Sequence, residues 1–386
     1  MTESIHFSCQ GESHKATNKV CQDYSYSKIY EDKIVVAIVC DGHGGKRYFR
    51  SDVGARLAAE ITKRNLLQFL RNVGNDLISN RPFTSSGSIA TQIELQQFGK
   101  ADEVTVALRQ LFSSIIYEWN TQVSKHALAN PLTDEEKNIL EVNWIEEFNR
   151  GESLEKVYGC TLMCFAQTDK IWLAFHIGDG KCISFDNNGK WSEPIPWDDR
   201  CFLNKTTSIC DVSALDEFRY CYCGDGTFPV AIFLASDGID DSFGAEENLV
   251  NFYIQISKAI LKNSKHDVEK EIQETLPELS KIGSKDDMSL SLVYDKSQLE
   301  IIYPRLLDWQ IENIKQLIKI QEERIANYQT KKAEIEKTEL EDKAKIVYSY
   351  AEAEIEKAET EKSRLIKRID MLYEEKCGDN KDLQDN

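Results

Sequence analysis

Four aspartates stand where an apolar, β-branched run meets a glycine turn or a polar start. Asp41 ends the run Ile34-Val35-Val36-Ala37-Ile38-Val39-Cys40 and opens Asp41-Gly42-His43-Gly44-Gly45. Asp179 follows Ile171-Trp172-Leu173-Ala174-Phe175-His176-Ile177-Gly178, and Asp237 follows Ala231-Ile232-Phe233-Leu234-Ala235-Ser236; each is succeeded by glycine. Asp286 reverses the order, standing just before Met288-Ser289-Leu290-Ser291-Leu292-Val293-Tyr294. Carboxylates held at strand ends by a rigid scaffold are how a protein builds a site for hard divalent cations. Taken singly, an Asp-Gly after a strand is an ordinary turn.

The elements that must position these residues are legible in the apolar patterning. Strands are expected over 5–9, 24–29, 33–40, 160–167, 171–177, 181–185, 219–223, 230–236 and 289–294, with a hairpin turn at Asn187-Asn188-Gly189. Helical spacing runs through 46–75 and 102–128, and less regularly through 246–278. The Ser/Thr/Gly-rich stretch 80–100 reads as an irregular loop, and 129–157 as a second insertion. Helices cluster while strands come in runs, the pattern of an α+β architecture. Asp41, Asp179 and Asp237 follow strands, whereas Asp23 and Asp286 precede them. Antiparallel neighbours bring strand ends and strand starts to the same edge. The expected fold is therefore α+β: a mainly antiparallel β-sandwich flanked by helices on both faces.

Beyond about residue 300 the composition changes. Pro304 is followed by no proline or glycine until Gly378, and Leu307, Ile311, Ile314, Ile318, Ile325 and Tyr328 recur at spacings of three and four. Ile355, Ala358, Leu365, Ile369 and Leu372 resume the pattern after a less regular middle near Glu341 to Tyr350. This predicts a coiled coil or a folded-back helical hairpin over 305–377. The division expected is a catalytic domain over 1–300, with insertions near 76–101 and 129–157, the helical segment, and a disordered tail over 378–386.

A formal charge of −18 over 386 residues argues against a nucleic-acid binder and fits attraction of cations. The eleven cysteines include no Cys-x-x-Cys pair, and most lie in apolar stretches. They are expected to be buried free thiols in a reducing compartment. Met1 to Gln10 lacks a signal-peptide pattern, and no apolar run approaches the ~20 residues of a membrane span. The expectation is a cytoplasmic protein with no membrane association.

Asp41-Gly42-His43-Gly44-Gly45, Ser236-Asp237-Gly238 and Lys285-Asp286-Asp287-Met288-Ser289, with Cys21-Gln22-Asp23 and Gly178-Asp179-Gly180, resemble in order the motifs of the metal-dependent type 2C protein phosphatases. The resemblance runs from about Cys9 to Tyr294 and implies a two-metal centre for Mg²⁺ or Mn²⁺. In it Asp41 matches the bridging ligand, Gly42 a backbone-carbonyl ligand, and Asp237 and Asp286 the other direct ligands. Asp23 matches the carboxylate that holds metal-bound water; Asp179, helped by Asp241, matches the site of a third, weaker ion. His43 is the general-acid candidate, on a glycine-flanked turn that would leave it open to a leaving serine or threonine alkoxide. Such a centre activates a bridging water for in-line attack on a phosphomonoester.

Two departures stand out. Many eukaryotic members place a phosphate-gripping arginine five residues before the position of Asp23, where this chain has Asn18. Lys15 or Lys19 could substitute as a point charge, without the bidentate fork. Gln22 also replaces an acidic residue, and these differences resemble the divergent bacterial branch. The implied function is a protein serine/threonine phosphatase acting on a phosphorylated protein, with the C-terminal helices mediating dimerisation or partner docking. The alternatives are a catalytically weak phosphoprotein-binding scaffold working through its coiled coil, and a nucleotide-directed metallophosphatase.

Overall fold

The run Val35–Cys40 shows no polar alternation because both of its faces are covered. Val36, Ile38 and Cys40 face a helical layer; Val35, Ala37 and Val39 face a second sheet. The structure, a computed structural model, describes residues 2–87, 102–202, 205–336 and 342–382. Its strands are β1 (Thr2–Cys9), β2 (Tyr24–Ile29), β3 (Val35–Cys40), β4 (Thr84–Ser86), β5 (Leu162–Gln167), β6 (Trp172–Ile177), β7 (Lys181–Phe185), β8 (Trp191–Ser192), β9 (Arg219–Cys223), β10 (Ala231–Ala235) and β11 (Met288–Asp295). They form one sheet of order β1-β11-β10-β7-β8 and another of order β2-β3-β5-β6-β9-β4. Every pairing is antiparallel. The inner faces meet through Val35, Met163, Phe165, Trp172, Ile232, Leu234 and Val293.

The principal helices of this part are α1 (Glu12–Ala16), α2 (Ser51–Phe69), α3 (Glu103–Ala129), α4 (Asp237–Asp240), α5 (Glu246–Lys262) and α6 (Lys265–Ile282). Ala55, Ala58 and Ile61 of α2, with Leu108, Phe112 and Trp119 of α3, pack on the outer face of the β3 sheet. Phe112 stacks on Phe218 with ring centroids 4.4 Å apart. On the opposite side Tyr253 of α5 stacks on Phe233 of β10 at 4.5 Å. The architecture is thus α+β, an antiparallel sandwich with helices on both faces.

Some boundaries differ from the sequence expectation. The single helix expected over 246–278 breaks at Asn263-Ser264, because the Ser264 hydroxyl accepts from Asp267 N–H and starts a new helix. Residues 129–157 are not irregular: they fold into helices Asp134–Ile139, Val142–Arg150 and Leu154–Val157, the first opened by a Thr133–Glu136 capping box. In the 80–100 stretch Thr84–Ser86 pairs with β9, while 88–101 lie outside the described residues. Asn187-Asn188-Gly189 turns between β7 and β8, with Gly189 at φ +71° and Asp186 Oδ1 accepting from Asn188 and Lys190 N–H. All ten described cysteines are free thiols, nine of them buried. Among the described residues no helix is long and apolar enough to cross a membrane.

The chain divides into two compact units, Met1–Glu300 and Ile301–Asn386. The second holds helix α7 (Lys296–Glu336) from Ile301 onward and helix α8 (Asp342–Asp382), which run antiparallel. Tyr303 donates to Glu375, Lys376 pairs with Asp308, Lys362 with Glu322, Arg324 with Glu354 and Lys332 with Glu352. From Asp308 onward, rising numbers on one helix meet falling numbers on the other, as a folded-back pair requires. Helix α8 extends to Asp382, past Gly378, and 383–386 lie outside the described residues.

Candidate active site

The end of β3 is prolonged by backbone pairing that fixes the Asp41 turn. Asp41 N–H donates to Thr161 Oγ1 (3.0 Å), its carbonyl accepts from Thr161 N–H (2.8 Å), and His43 N–H donates to the Gly159 carbonyl (3.1 Å). A Cβ on Gly42 would collide with the Gln22 carbonyl, so only glycine lets the two segments approach. At the end of β10, Ser236 N–H donates to the Ser289 carbonyl (3.0 Å) and Ser289 N–H to Ser236 Oγ (2.9 Å). That lock joins the finish of β10 to the start of β11 and so sets Asp237 beside Asp286. Gly238 meets the Asp287 carbonyl with no room for a side chain.

The carboxyl groups of Asp41 and Asp237 stand against each other, so each disfavours ionisation of the pair. Burial, and then the neighbouring carboxylates, push Asp237 up to about 7 and hold Asp41 well above the usual range. Asp23 is raised for the same reasons; it accepts from Ser236, and its Oδ2 is buried without a partner among the described residues. Burial also raises Asp179 and Asp241, and Asp179 is bonded by the Thr206 hydroxyl. Asp286 is exposed and accepts the N–H of Asp287 (2.8 Å). The structure therefore brings Asp23, Asp41, Asp179, Asp237, Asp241 and Asp286 into one electrostatic cluster.

A cluster of hard oxygen donors that cannot all ionise together, with one carboxylate oxygen buried and unbonded, fits divalent cations in its chemistry. The donors are gathered but not closed. Among the described residues no three His, Cys, Asp or Glu side chains converge tightly enough to enclose an ion.

The open imidazole expected at His43 is instead half-buried and hydrogen-bonded. Its Nε2 hydrogen-bonds to Ser208 Oγ (2.8 Å), and its ring meets Tyr48 edge-on with centroids 4.8 Å apart. Burial drives its pKa down to about 4, so the ring is neutral at pH 7. The segment responsible also carries Thr206 and Thr207: Thr207 Oγ1 accepts from Gly178 N–H (3.0 Å), and Cys201 Sγ faces the Gly178 carbonyl at 3.4 Å. Nothing in the sequence pattern marked it, because its residues are short and polar without period.

Lys15 pairs with Glu12 at the surface, 3.7 Å away. Lys19 donates to the Gly44 carbonyl at 3.0 Å. Two further groups escaped sequence reasoning. Arg219, 1% exposed, donates to the Gly178 and Pro196 carbonyls, contacts His176 and lies 3.6 Å from buried Asp198. It thereby secures the turn that carries Asp179. Asp287, adjacent to Asp286, accepts from Gly11 N–H (2.6 Å), Gln22 N–H (2.6 Å) and His14 Nδ1 (2.9 Å). The Asp-Asp pair was visible in the sequence, but only the fold shows that its second member ties the amino-terminal segment to the site.

Among curated proteins none matches this sequence. Solved structures with a similar fold include the serine/threonine phosphatase Stp1 from Staphylococcus aureus (15% identity, 76% of this chain and 95% of that one, TM-score 0.44). Another is the catalytic domain of the serine threonine protein phosphatase PstP in complex with two manganese ions (14%, 76% and 99%, TM-score 0.44). A third is PppA, a regulatory component of T6SS in Pseudomonas aeruginosa (17%, 76% and 97%, TM-score 0.43). The sequence model of the protein phosphatase 2C family matches residues 10–277, a span that holds Asp23, Asp41, His43, Asp179, Asp237 and Asp241 and stops short of Asp286. With more than half of its length matched in this way, the chain belongs to the protein phosphatase 2C family.

Proposed function

We propose that this chain is a metal-dependent protein serine/threonine phosphatase whose centre is the carboxylate cluster at the edge of the sandwich. The observation that carries the proposal is the half-buried Asp41–Asp237 pair, ringed by Asp23, Asp179 and Asp241. Such a group is unfavourable unless protons or cations neutralise it. Asp41, the Gly42 carbonyl, Asp237 and Asp286 would hold two Mg²⁺ or Mn²⁺ ions, with Asp179 and Asp241 serving a third. Bound there, the ions supply Lewis-acid activation of water and neutralise phosphoryl charge. Asp23 would orient a water molecule, a role supported by its buried, unpartnered Oδ2. His43, neutral and bonded to Ser208, donates a proton to the leaving alkoxide only after that segment moves and the ring gains a proton. The C-terminal helical pair is assigned a docking role, towards a second copy or a partner protein.

The competing hypothesis is a phosphoprotein-binding scaffold. The absence of an arginine at Asn18, the engaged His43 and the unclosed carboxylates favour it. Hydrolysis of p-nitrophenyl phosphate and of phosphoserine peptides by the full chain, with and without Mn²⁺, separates the two. The phosphatase proposal expects metal-dependent turnover that Asp41→Ala or Asp237→Ala abolishes. No turnover by freshly metal-loaded protein on several phosphopeptides would sink it.

A further inference from the structure

The acidic cluster poses a problem for the substrate as well as an opportunity for cations. A phosphomonoester approaching it needs hydrogen-bond donors and positive charge beside the carboxylates, and the cations in the neighbourhood are mostly engaged. Arg219 is turned towards Gly178, Pro196 and His176; Lys156 is paired with Asp211 (2.7 Å), and Lys181 with Glu193 (2.9 Å). The turn after Asp41 is different. Lys19 Nζ lies on the Gly44 carbonyl, and the N–H groups of Gly44 and Gly45 have no hydrogen-bond partner among the described residues. Facing the same glycine is His14, whose Nε2 would sit 3.9 Å from a Cβ built on Gly44.

The geometry of His14 is directional. Its Nδ1 is committed to Asp287 Oδ2 at 2.9 Å, in a contact 90% shielded on the histidine side and 97% on the aspartate side. Asp287 is itself fixed by Gly11 and Gln22 N–H, so the ring cannot swing. Only the Nε2 edge remains unbonded among the described residues, and it points at the Asp41–Gly45 turn. A carboxylate behind one ring nitrogen favours a proton on the other as well. The Asp287 hydrogen bond raises the pKa of His14, in keeping with a donor at Nε2.

We infer that His14 Nε2 and Lys19 Nζ, with the Gly44 and Gly45 N–H groups, form the subsite that holds the phosphoryl oxygens of a phosphomonoester, in place of the missing arginine fork. This rests on the phosphatase proposal above for its substrate class. The subsite supplies two side-chain donors, five residues apart on the α1 segment, and two backbone donors from the Gly44-Gly45 turn, a set that a single lysine cannot match.

The test uses the full Mg²⁺-loaded chain, inorganic phosphate as the probe in calorimetry, and p-nitrophenyl phosphate for kinetics. His14→Asn retains an N–H where Nδ1 stood, preserving the Asp287 contact, and removes the Nε2 edge. It is expected to weaken phosphate binding and raise KM about ten-fold with little change in kcat. Lys19→Met is expected to behave alike, Lys19→Arg to retain binding, and Lys15→Met to change nothing. Wild-type phosphate affinity in both His14→Asn and Lys19→Met overturns the inference while leaving turnover, and so the phosphatase proposal, intact. If His14→Asn does not fold, Lys19→Met alone decides by the same measurement. Should the wild-type chain bind phosphate through His14 and Lys19 yet hydrolyse nothing, the subsite stands and the enzymatic proposal falls. Absence of phosphate binding by the wild-type chain overturns the subsite.

Discussion

Asp237→Asn should make the metal-free protein more stable while destroying its response to metal. The Asp237 carboxyl is pushed from its ordinary 3.8 up to about 7, first by burial and then by the charges of Asp179, Asp286 and Asp241. Each unit corresponds to ~1.4 kcal/mol, so ionising this group in the folded chain costs on the order of 4 kcal/mol more than in the unfolded chain. The sign follows from linkage. A raised folded value means the native state binds the proton more tightly; that stability is full below about pH 4 and is lost as pH rises through about 7. Asparagine is isosteric, cannot ionise, and can donate to Asp41. Urea unfolding with EDTA should therefore show the variant near wild type at about pH 4 and more stable by about 2–4 kcal/mol at about pH 8. Taking the difference between the two proteins cancels the other titrating groups. Adding millimolar Mg²⁺ or Mn²⁺ at about pH 8 should then raise the wild-type midpoint and leave the variant nearly unmoved. A variant no more stable than wild type in EDTA at about pH 8, or an equal metal response in both, refutes the reasoning.

Arg219→Met should cost about 2–4 kcal/mol, because it removes the guanidinium donor from the Gly178 and Pro196 carbonyls and leaves buried Asp198 with Arg200 as its remaining cation; a urea midpoint within about 1 kcal/mol of wild type would show that the guanidinium is dispensable. His43, followed by NMR in the metal-free chain, should titrate near 4. Its folded value is depressed, so its contribution to stability is present above about 6.5 and declines as pH falls towards 4; a midpoint near 6.5 would mean the ring is open to water. Ala358, 1% exposed between the Glu322–Lys362 and Arg324–Glu354 rungs, should not tolerate charge. Ala358→Glu is expected to destabilise the helical pair by about 2–4 kcal/mol, read as an early loss of far-ultraviolet circular dichroism in urea, and an unchanged curve would contradict the burial.

Much of the sandwich could be read from local pattern. The strand runs at 24–29, 33–40, 171–177 and 181–185 lie where β-branched and aromatic residues concentrate, since those side chains suit a pleated, buried surface. The antiparallel arrangement followed from aspartates that both end and begin strands. The short edge strands β4 and β8 were not legible, because Thr84–Ser86 and Trp191–Ser192 have too few residues to show a period. The break at Ser264 was missed because a serine within an amphipathic run is a weak signal until its hydroxyl is seen to cap.

The site divides in the same way. Residue type and order alone placed Asp41, Asp179, Asp237 and Asp286 at element ends, because a carboxylate following a buried strand has few other places to go. What surrounds them was decided by the fold. His43 and Ser208 are 165 residues apart, and His14 and Asp287 are 273 apart. Contacts of that separation depend on which strands pair and which loops cross, and no short-range pattern encodes them. Sequence therefore determined which chemistry the chain can attempt; tertiary structure decided which imidazole is engaged by Ser208, which is aimed at the glycine turn after Asp41, and how the charges between the carboxylates are shared.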